Sequence, residues 1–259
     1  MSLLAEGRSS LIGYLPAGFP TVEGSTSLLK AMIDGGCDLV EVGVPYSDPV
    51  MDGPTIQAAA DQALANGFRL RHVFEVVEAV SAAGGKAVVM SYWNPIYHYG
   101  VDRFSRDLAA AGGLGIITPD LVPDEAAEWM AASREHGLDR IFLVAPSSTD
   151  ARIASTVDAC RGWVYAASTM GVTGARDQTS SAAPSLVARV RTATQLPIGV
   201  GLGVSNGEQA AEVASFADGV IVGSALVRKL LDATSEAAGV KAIGELAADL
   251  AAGVRKAAN

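Results

Sequence analysis

Two carboxylates near the start of the chain lie in a context that suits acid–base chemistry. Glu41 interrupts the apolar run DLVEVGV, and the loop that follows carries Asp48 and Asp52. An ionisable group in an apolar run is costly unless it has a partner or a chemical task. Because side chains alternate along a strand, Glu41 faces away from the side that Val40 and Val42 occupy. Burial of Glu41 beside a better-solvated Asp52 is the pairing that proton transfer at neutral pH needs, since burial raises one pKa while the other group stays ionised.

A structural role explains the same carboxylates equally well. Glu41 could pair with an arginine and close the sheet, and Asp52 could cap a helix that begins at Pro54. Three prolines between Glu41 and Gln57 restrict the loop in either case. The pattern of residues leaves both interpretations open.

Glycine-containing stretches after three later apolar runs are typical of an anion site. They are Gly171-Val-Thr-Gly174, Gly201-Leu-Gly203 and Val222-Gly223-Ser224. Glycine lets backbone N–H groups approach a phosphate, and a helix that begins there adds a favourable dipole. One such stretch is consistent with a simple turn. Two that follow the last two strands of a barrel indicate a phosphate site, to which Ser224 adds a hydroxyl donor.

Eight short apolar runs, separated by segments with helical spacing, must position these residues. Each run is rich in Val, Ile and Leu, as expected of parallel strands that are buried on both faces. Steps of three and four residues between the runs, as at Val73, Val76, Val77 and Val80, predict amphipathic helices. The predicted strands are Leu11–Leu15, Asp38–Val44, Lys86–Met90, Leu114–Thr118, Asp139–Val144, Trp163–Ala167, Leu196–Val200 and Gly219–Val222.

The chain length favours a closed barrel over an open sheet. Dividing 259 residues by eight gives about 32 residues per unit, near the roughly 30 of one βαβ module. The sequence therefore predicts an α/β fold, a single (β/α)8 TIM barrel with eight parallel strands over residues 1–259. An open sheet of six strands remains the alternative. In a barrel, catalytic groups lie at the C-terminal ends of the strands, where Glu41 and the glycines fall.

Composition excludes several other classes of protein. With 19 Lys and Arg against 28 Asp and Glu the net charge is -9, so no basic field is present to bind nucleic acid. No apolar run of about 18 residues predicts a membrane span, and the start lacks the layout of a signal peptide, so we expect a cytoplasmic protein.

Cys37 and Cys160 lack ligand spacing and are expected to be buried thiols. His72, His98 and His136 have no Cys or carboxylate at metal spacing, so no metal site is expected.

Several motifs, in order along nearly the whole chain, resemble the tryptophan synthase alpha subunit family. The longest is EVGVPYSDPVMDGPTIQ, which begins at Glu41. The others are YLPAGFP at 14–20, Asn94-Pro95 after MSY, TPDLVPDEA at 118–126, SxxGVTGAR at 168–176, GVGLGVS at 199–205 and GSAL at 223–226. The carboxylate motif is too long and specific for a chance match.

The resemblance implies a lyase of tryptophan biosynthesis that cleaves indole-3-glycerol phosphate to indole and glyceraldehyde 3-phosphate by a retro-aldol reaction. Glu41 matches the family's catalytic glutamate, which moves protons at indole C3 and at the glycerol hydroxyl. Asp52 matches the aspartate that stabilises charge at the indole nitrogen, and Tyr165 matches a tyrosine near the substrate. The resemblance places the substrate phosphate at Gly174, Gly203, Gly223 and Ser224, and the indole ring at Tyr14, Met90 and Tyr92.

The resemblance also implies a complex of two alpha and two beta subunits, in which indole passes to a pyridoxal phosphate site on beta. Asp48 and the aromatic loop after the third strand match regions that face the beta subunit. No cofactor is expected in this chain, because a Schiff-base lysine would lie at a strand end whereas Lys86 begins its strand. A stand-alone lyase that releases free indole, and a barrel that binds phosphate ligands without catalysis, remain alternatives.

Three features depart from the commonest pattern of the family. Thr169 stands where an arginine is frequent, Met51 replaces a small residue, and the segment before the first strand is short. These differences concern loop closure, subunit coupling and the cover over the bottom of the barrel. None of them removes a catalytic group, so the implied reaction stands.

Overall fold

One parallel sheet forms the centre of the protein in a computed structural model. The structure describes residues 7–167, 182–201 and 203–257. Its strands are β1 (Ser10–Pro16), β2 (Leu39–Gly43), β3 (Ala87–Met90), β4 (Gly115–Ile117), β5 (Asp139–Ile141), β6 (Leu143–Val144), β7 (Val164–Ala167), β8 (Ile198–Gly201) and β9 (Gly219–Val222). All pairings among them are parallel, in the order β5-β4-β3-β2-β1-β9-β8-β7-β6. Because β1 pairs with β9, the sheet curls into a barrel.

The sequence predicted eight strands, and the ninth segment arises from a break in the fifth. The predicted run from Asp139 to Val144 is divided at Phe142 into β5 and β6. β5 pairs with β4 whereas β6 pairs with β7, so the ladder changes sides at this residue. The carbonyl of Phe142 accepts the N–H of Tyr165 at 3.1 Å. The barrel thus closes through the chain itself, which confirms the (β/α)8 prediction and makes the open six-stranded sheet wrong.

Helices follow the strands and cover the outside of the barrel. They are α1 (Val22–Asp34), α2 (Pro54–Ala65), α3 (His72–Ala82), α4 (Trp93–Tyr99), α5 (Val101–Ala110), α6 (Ala127–Glu135), α7 (Asp150–Ala159), α8 (Ala182–Arg191), α9 (Gly207–Ala214), α10 (Ser224–Leu231) and α11 (Glu236–Lys256), with a 3-10 turn at Pro123–Glu125. Four of them begin at a side-chain cap, as the sequence leads one to expect of Ser, Thr and Asn. The caps are Thr21, Thr149, Asn206 and Ser235.

Apolar side chains form two separate layers, one between the helices and the sheet and one inside the barrel. The inner layer consists of Ile12, Leu39, Val88, Ile117, Ile141, Trp163 and Ile221. Along β2, Leu39 belongs to the inner layer, while Val40 and Val42 belong to the outer one. The side chain at position 41 therefore points into the barrel, as the alternation along the strand predicted.

Two expectations about the chain as a whole can be compared with the described residues. Cys37 and Cys160 are both buried free thiols, as predicted. Among the described residues, no helix is at once long and apolar enough to cross a membrane. The extent of the single domain over residues 1–259 stays a prediction, because both chain ends lie outside the described ranges.

Candidate active site

Glu41 lies on β2 inside the barrel and is almost completely buried. Its side chain is 1% exposed, and Oε1 has no hydrogen-bond partner among the described residues. Burial raises the pKa of Glu41 to about 8, because the charged form loses its hydration. No arginine pairs with Glu41 in the part of the chain that the structure describes. The described residues therefore do not support an ion pair between Glu41 and an arginine. They support a carboxyl group that is protonated at neutral pH.

Tyr14 and Tyr165 stand beside Glu41 in the same interior. Tyr14 on β1 is paired with Glu41 in the strand register. Burial raises the pKa of both phenols well above the usual value, and the charge of Glu41 adds to the effect in each. Both hydroxyls consequently stay protonated and can donate hydrogen bonds near Glu41.

Glycines beneath these two rings have a packing role that the sequence motifs did not indicate, since Gly43 was given no role and Gly201 was considered only as part of an anion site. A Cβ at Gly43 would lie 2.3 Å from the Tyr14 hydroxyl, and one at Gly201 would lie 2.6 Å from the Tyr165 hydroxyl. Each distance is far below van der Waals contact, so any larger residue would displace the ring. Glycine within a strand is the signal that could have revealed this close approach.

Asp52 lies in the loop after β2, at the mouth of the barrel, and is half-buried. Burial raises its pKa to about 6, against a hydrogen bond from Tyr92 that lowers it. The amide of Gln57 donates to the Asp52 carbonyl at 2.6 Å and fixes the loop. The N-cap of α2 is Gly53, and no side-chain hydrogen bond caps that helix. Asp52 is therefore not a helix cap, and its carboxylate is directed to the cleft.

A cleft at the C-terminal end of the barrel brings most of the predicted site residues together. The space between its walls is about 870 Å³, which includes the open solvent at its mouth. Its lining includes Glu41, Asp52, Tyr165, Tyr14, Met90, Gly203, Gly223 and Ser224. Met51, which departs from the family pattern, also lines the cleft. Tyr92 is not part of this lining, since its hydroxyl instead contacts the loop that carries Asp52.

The far end of the cleft has the features of an anion site. Gly203 adopts a φ of 70°, which favours glycine. Gly223 precedes α10, whose start has no side-chain cap, and the cleft is lined there by Gly223 and the buried Ser224. The first N–H groups of a helix have no partner within the helix and are free to bind an anion. Arg228 on α10 donates to the Thr55 hydroxyl on α2 at 2.6 Å and ties the two helices together. Gly174 and Thr169 lie outside the described residues.

One histidine differs from its prediction. Nε2 of His136 lies 2.8 Å from Oδ1 of Asp102, and Glu135 offers a second carboxylate to the same group. The expectation that His136 has no nearby carboxylate was therefore wrong, because α5 and α6 pack together and bring Asp102 across from a distant part of the chain. None of the three residues lines the cleft.

The fold and the cleft define a class of protein: a β/α barrel with a buried carboxylic acid, a second carboxyl group and the uncapped start of a helix in one cavity. A family model described as the tryptophan synthase alpha chain matches residues 1–255. The tryptophan synthase alpha chain of Nocardia farcinica is 65% identical over 253 residues, which cover 98% of this chain and 93% of that relative. That of Mycobacterium marinum is 62% identical over 255 residues, covering 98% and 93%.

Solved structures agree with the sequence relatives. A structure of tryptophan synthase from Mycobacterium tuberculosis matches with a TM-score of 0.90 and 61% identity, covering 96% of this chain and 93% of that chain. A mutant tryptophan synthase alpha-subunit from Pyrococcus furiosus matches with a TM-score of 0.87 and 34% identity, covering 95% and 98%. The chain belongs to the tryptophan synthase alpha chain family.

Proposed function

We propose that this chain cleaves indole-3-glycerol phosphate to indole and glyceraldehyde 3-phosphate, as a carbon–carbon lyase of tryptophan synthesis. The observation that carries the proposal is the presence of Glu41 and Asp52 in one cleft with pKa values on opposite sides of neutrality. At pH 7 one carboxyl group is an acid and the other an anion. Acid–base catalysis on the uncharged indole ring needs one carboxyl group that is protonated and one that is ionised.

The proposed reaction uses each carboxyl group in a different way. Protonated Glu41 donates its proton to indole C3, which leaves a positive charge at the ring nitrogen. Anionic Asp52 stabilises that charge through the ring N–H. The Glu41 carboxylate then accepts the proton of the glycerol hydroxyl, and the carbon that bears this hydroxyl becomes the aldehyde carbonyl. The carbon–carbon bond breaks in the same step, and the electron pair of this bond returns to the indole ring. Glu41 ends protonated again, so the side chains alone supply the proton transfers, and pyridoxal phosphate is assigned to the beta subunit.

The phosphate of the substrate is proposed to bind at the start of α10. Gly203, Gly223 and Ser224 line the end of the cleft that lies there. Backbone N–H groups and the helix dipole bind a phosphate without a lysine. This explains how a chain with a net charge of -9 holds an anionic substrate. The role that the resemblance gives to Gly174 is proposed on the sequence motif alone.

The rate of indole formation is expected to follow a bell-shaped pH profile. Activity should fall below about pH 6, because Asp52 becomes protonated, and above about pH 8, because Glu41 loses its proton. The measurement is kcat/KM for indole-3-glycerol phosphate against pH with the full chain. Binding of the substrate without any indole formation would instead support a non-catalytic barrel.

The beta subunit is proposed to dock on one side of the barrel mouth. Val50, Tyr97 and Val122 are the large apolar side chains that stand exposed among the described residues, at 70%, 60% and 41%. They follow β2, β3 and β4, which are neighbours in the sheet. Asp48, which the resemblance places at the same interface, is exposed on the first of these loops. Apolar side chains clustered on one surface are typical of a partner site.

Tyr97→Lys is expected to weaken binding of the beta subunit by about tenfold or more, since exposed tyrosines often dominate interfaces. The measurement is the concentration of beta subunit that gives half-maximal activation of indole formation. Gln195→Lys is the matched control, because it adds the same charge at an exposed position before β8, at the other end of the barrel. Equal activation curves for both variants would place the interface elsewhere, and no activation of the wild type would favour a stand-alone lyase.

A further inference from the structure

Tyr92 connects two loops at the mouth of the barrel. It follows β3, is 5% exposed, and its hydroxyl oxygen accepts the backbone N–H of Met51 at 3.0 Å. The backbone N–H groups of Val50 and Asp52 face the same oxygen. The Asp52 carboxyl group lies close enough to this hydroxyl for a hydrogen bond from Tyr92 to lower the pKa of Asp52. One phenol therefore contacts both the backbone and the side chain of the loop that carries Asp52.

The ring of Tyr92 is itself held in place by neighbours on two loops. Tyr46 lies against it with ring centroids 5.4 Å apart at a tilt of 37°. The Tyr46 hydroxyl accepts a hydrogen bond from the amide of Asn94 at 3.0 Å. Both oxygens of Asp120 accept the N–H of Trp93, at 2.9 and 3.2 Å. The loops after β2, β3 and β4 are thus joined by hydrogen bonds around Tyr92.

We propose that Tyr92 is a positioning residue for Asp52, with Tyr46 and Asn94 holding its ring in place. The proposal rests on the function proposed above for Asp52. A phenol can donate only one hydrogen bond, and because the backbone N–H groups around the Tyr92 oxygen are all donors, the Asp52 carboxylate is the acceptor left for it. The N–H groups that the oxygen accepts polarise the O–H bond and make it a better donor. Tyr92 consequently orients the carboxylate toward the indole N–H and favours its charged form.

The surroundings of Asp52 make this hydrogen bond important. Burial alone disfavours its charge, and no described cation counters that effect. The other ionisable side chains that line the cleft with Asp52, among the described residues, are Tyr14, Glu41 and Tyr165, on β1, β2 and β7. None of them is a cation at any pH. The Tyr92 hydroxyl is therefore the described side chain that opposes the effect of burial.

Tyr92→Phe removes only the hydroxyl and is the direct test. We expect kcat/KM for indole formation at pH 7 to fall roughly tenfold to a hundredfold, as for a lost hydrogen bond to a charged group. The acid limb of the pH profile should move to higher pH by roughly half a unit to one unit. Activity should therefore recover in part as the pH rises toward the alkaline limb. A residue with a purely structural role would lower the rate without moving the limb.

Two further variants keep the proposal testable if Tyr92→Phe is poorly folded. Tyr46→Phe and Asn94→Ala each remove one partner of the same outer hydrogen bond, and each should lower kcat/KM about twofold to threefold. The double variant should be no worse than either single one, because both delete the same interaction. Tyr99→Phe is the matched control, since it deletes a tyrosine hydroxyl bonded to Asp107 at 2.7 Å, away from Asp52.

A titration without turnover separates this proposal from the proposed function. The pKa of the Asp52 carboxyl is measured by NMR in the full chain with carboxyl-labelled aspartate, and Asp52→Asn assigns its resonance. A higher pKa in Tyr92→Phe, with an unchanged value in Tyr99→Phe, supports the positioning role. An unchanged pKa together with an unmoved acid limb overturns it. If the titration shifts but the wild type forms no indole, the hydrogen bond to Asp52 stands and the proposed reaction is wrong.

Discussion

Glu41→Gln is expected to lower the rate of indole formation by roughly 10²- to 10⁴-fold, the usual contribution of a positioned proton donor. Glutamine has nearly the same shape as the protonated acid, so the packing of Tyr14 and Tyr165 around it should persist. Its amide can neither donate an acidic proton to indole C3 nor accept the proton of the glycerol hydroxyl. The loss should therefore appear mainly in kcat, with KM little changed.

The comparison variant is Glu78→Gln, which makes the same chemical change at an exposed position on α3. Its rate should equal that of the wild type. Circular dichroism and thermal unfolding establish that both variants are folded. Near-normal turnover by a folded Glu41→Gln would show that another group supplies the proton. Residual activity that no longer falls above about pH 8, with the acid limb from Asp52 still present near pH 6, would fit the loss of Glu41 as the titrating acid.

The sequence predicted the elements of this barrel well because each strand is a short apolar run between helical segments. The last strand, Gly219–Val222, begins and ends as predicted, and β2 differs from its prediction by one residue at each end. The inward direction of Glu41 followed from the alternation with Val40 and Val42, a local property of any strand. Local pattern could not show the break at Phe142, because the break reflects which neighbour each half of the strand meets.

The arrangement around the carboxyl groups was harder to predict than their presence. The motif indicated Glu41 and Asp52, but it could not show whether an arginine or a helix end would neutralise them. The role of Tyr92 depends on contact between two loops that are distant in sequence. The same is true of Gly43, whose importance comes from a tyrosine on another strand. Such contacts arise only when the barrel closes and brings its loops together.

The buried acid should also make the stability of the folded chain depend on pH. The pKa of Glu41 is about 8 in the folded protein, against the ordinary value of 4.5 for an exposed glutamate. Between these two values the folded state binds a proton that the unfolded state has released. Stability therefore falls as the pH rises through this window. Below about pH 4.5 both states are protonated, and above about pH 8 both are ionised, so the slope vanishes at either end.

Glu41→Gln should remove this dependence, because its amide is neutral at every pH. The free energy of unfolding of the variant, relative to the wild type, should rise by on the order of 3–5 kcal/mol between about pH 4.5 and about pH 8, since each pKa unit corresponds to about 1.4 kcal/mol. Urea denaturation across this range measures the change, and any constant cost of burying the amide cancels in the comparison. Glu78→Gln should track the wild type throughout. A difference between Glu41→Gln and the wild type that does not vary with pH would mean that Glu41 is ionised in the folded protein, and it could not then be the acid that protonates indole at pH 7.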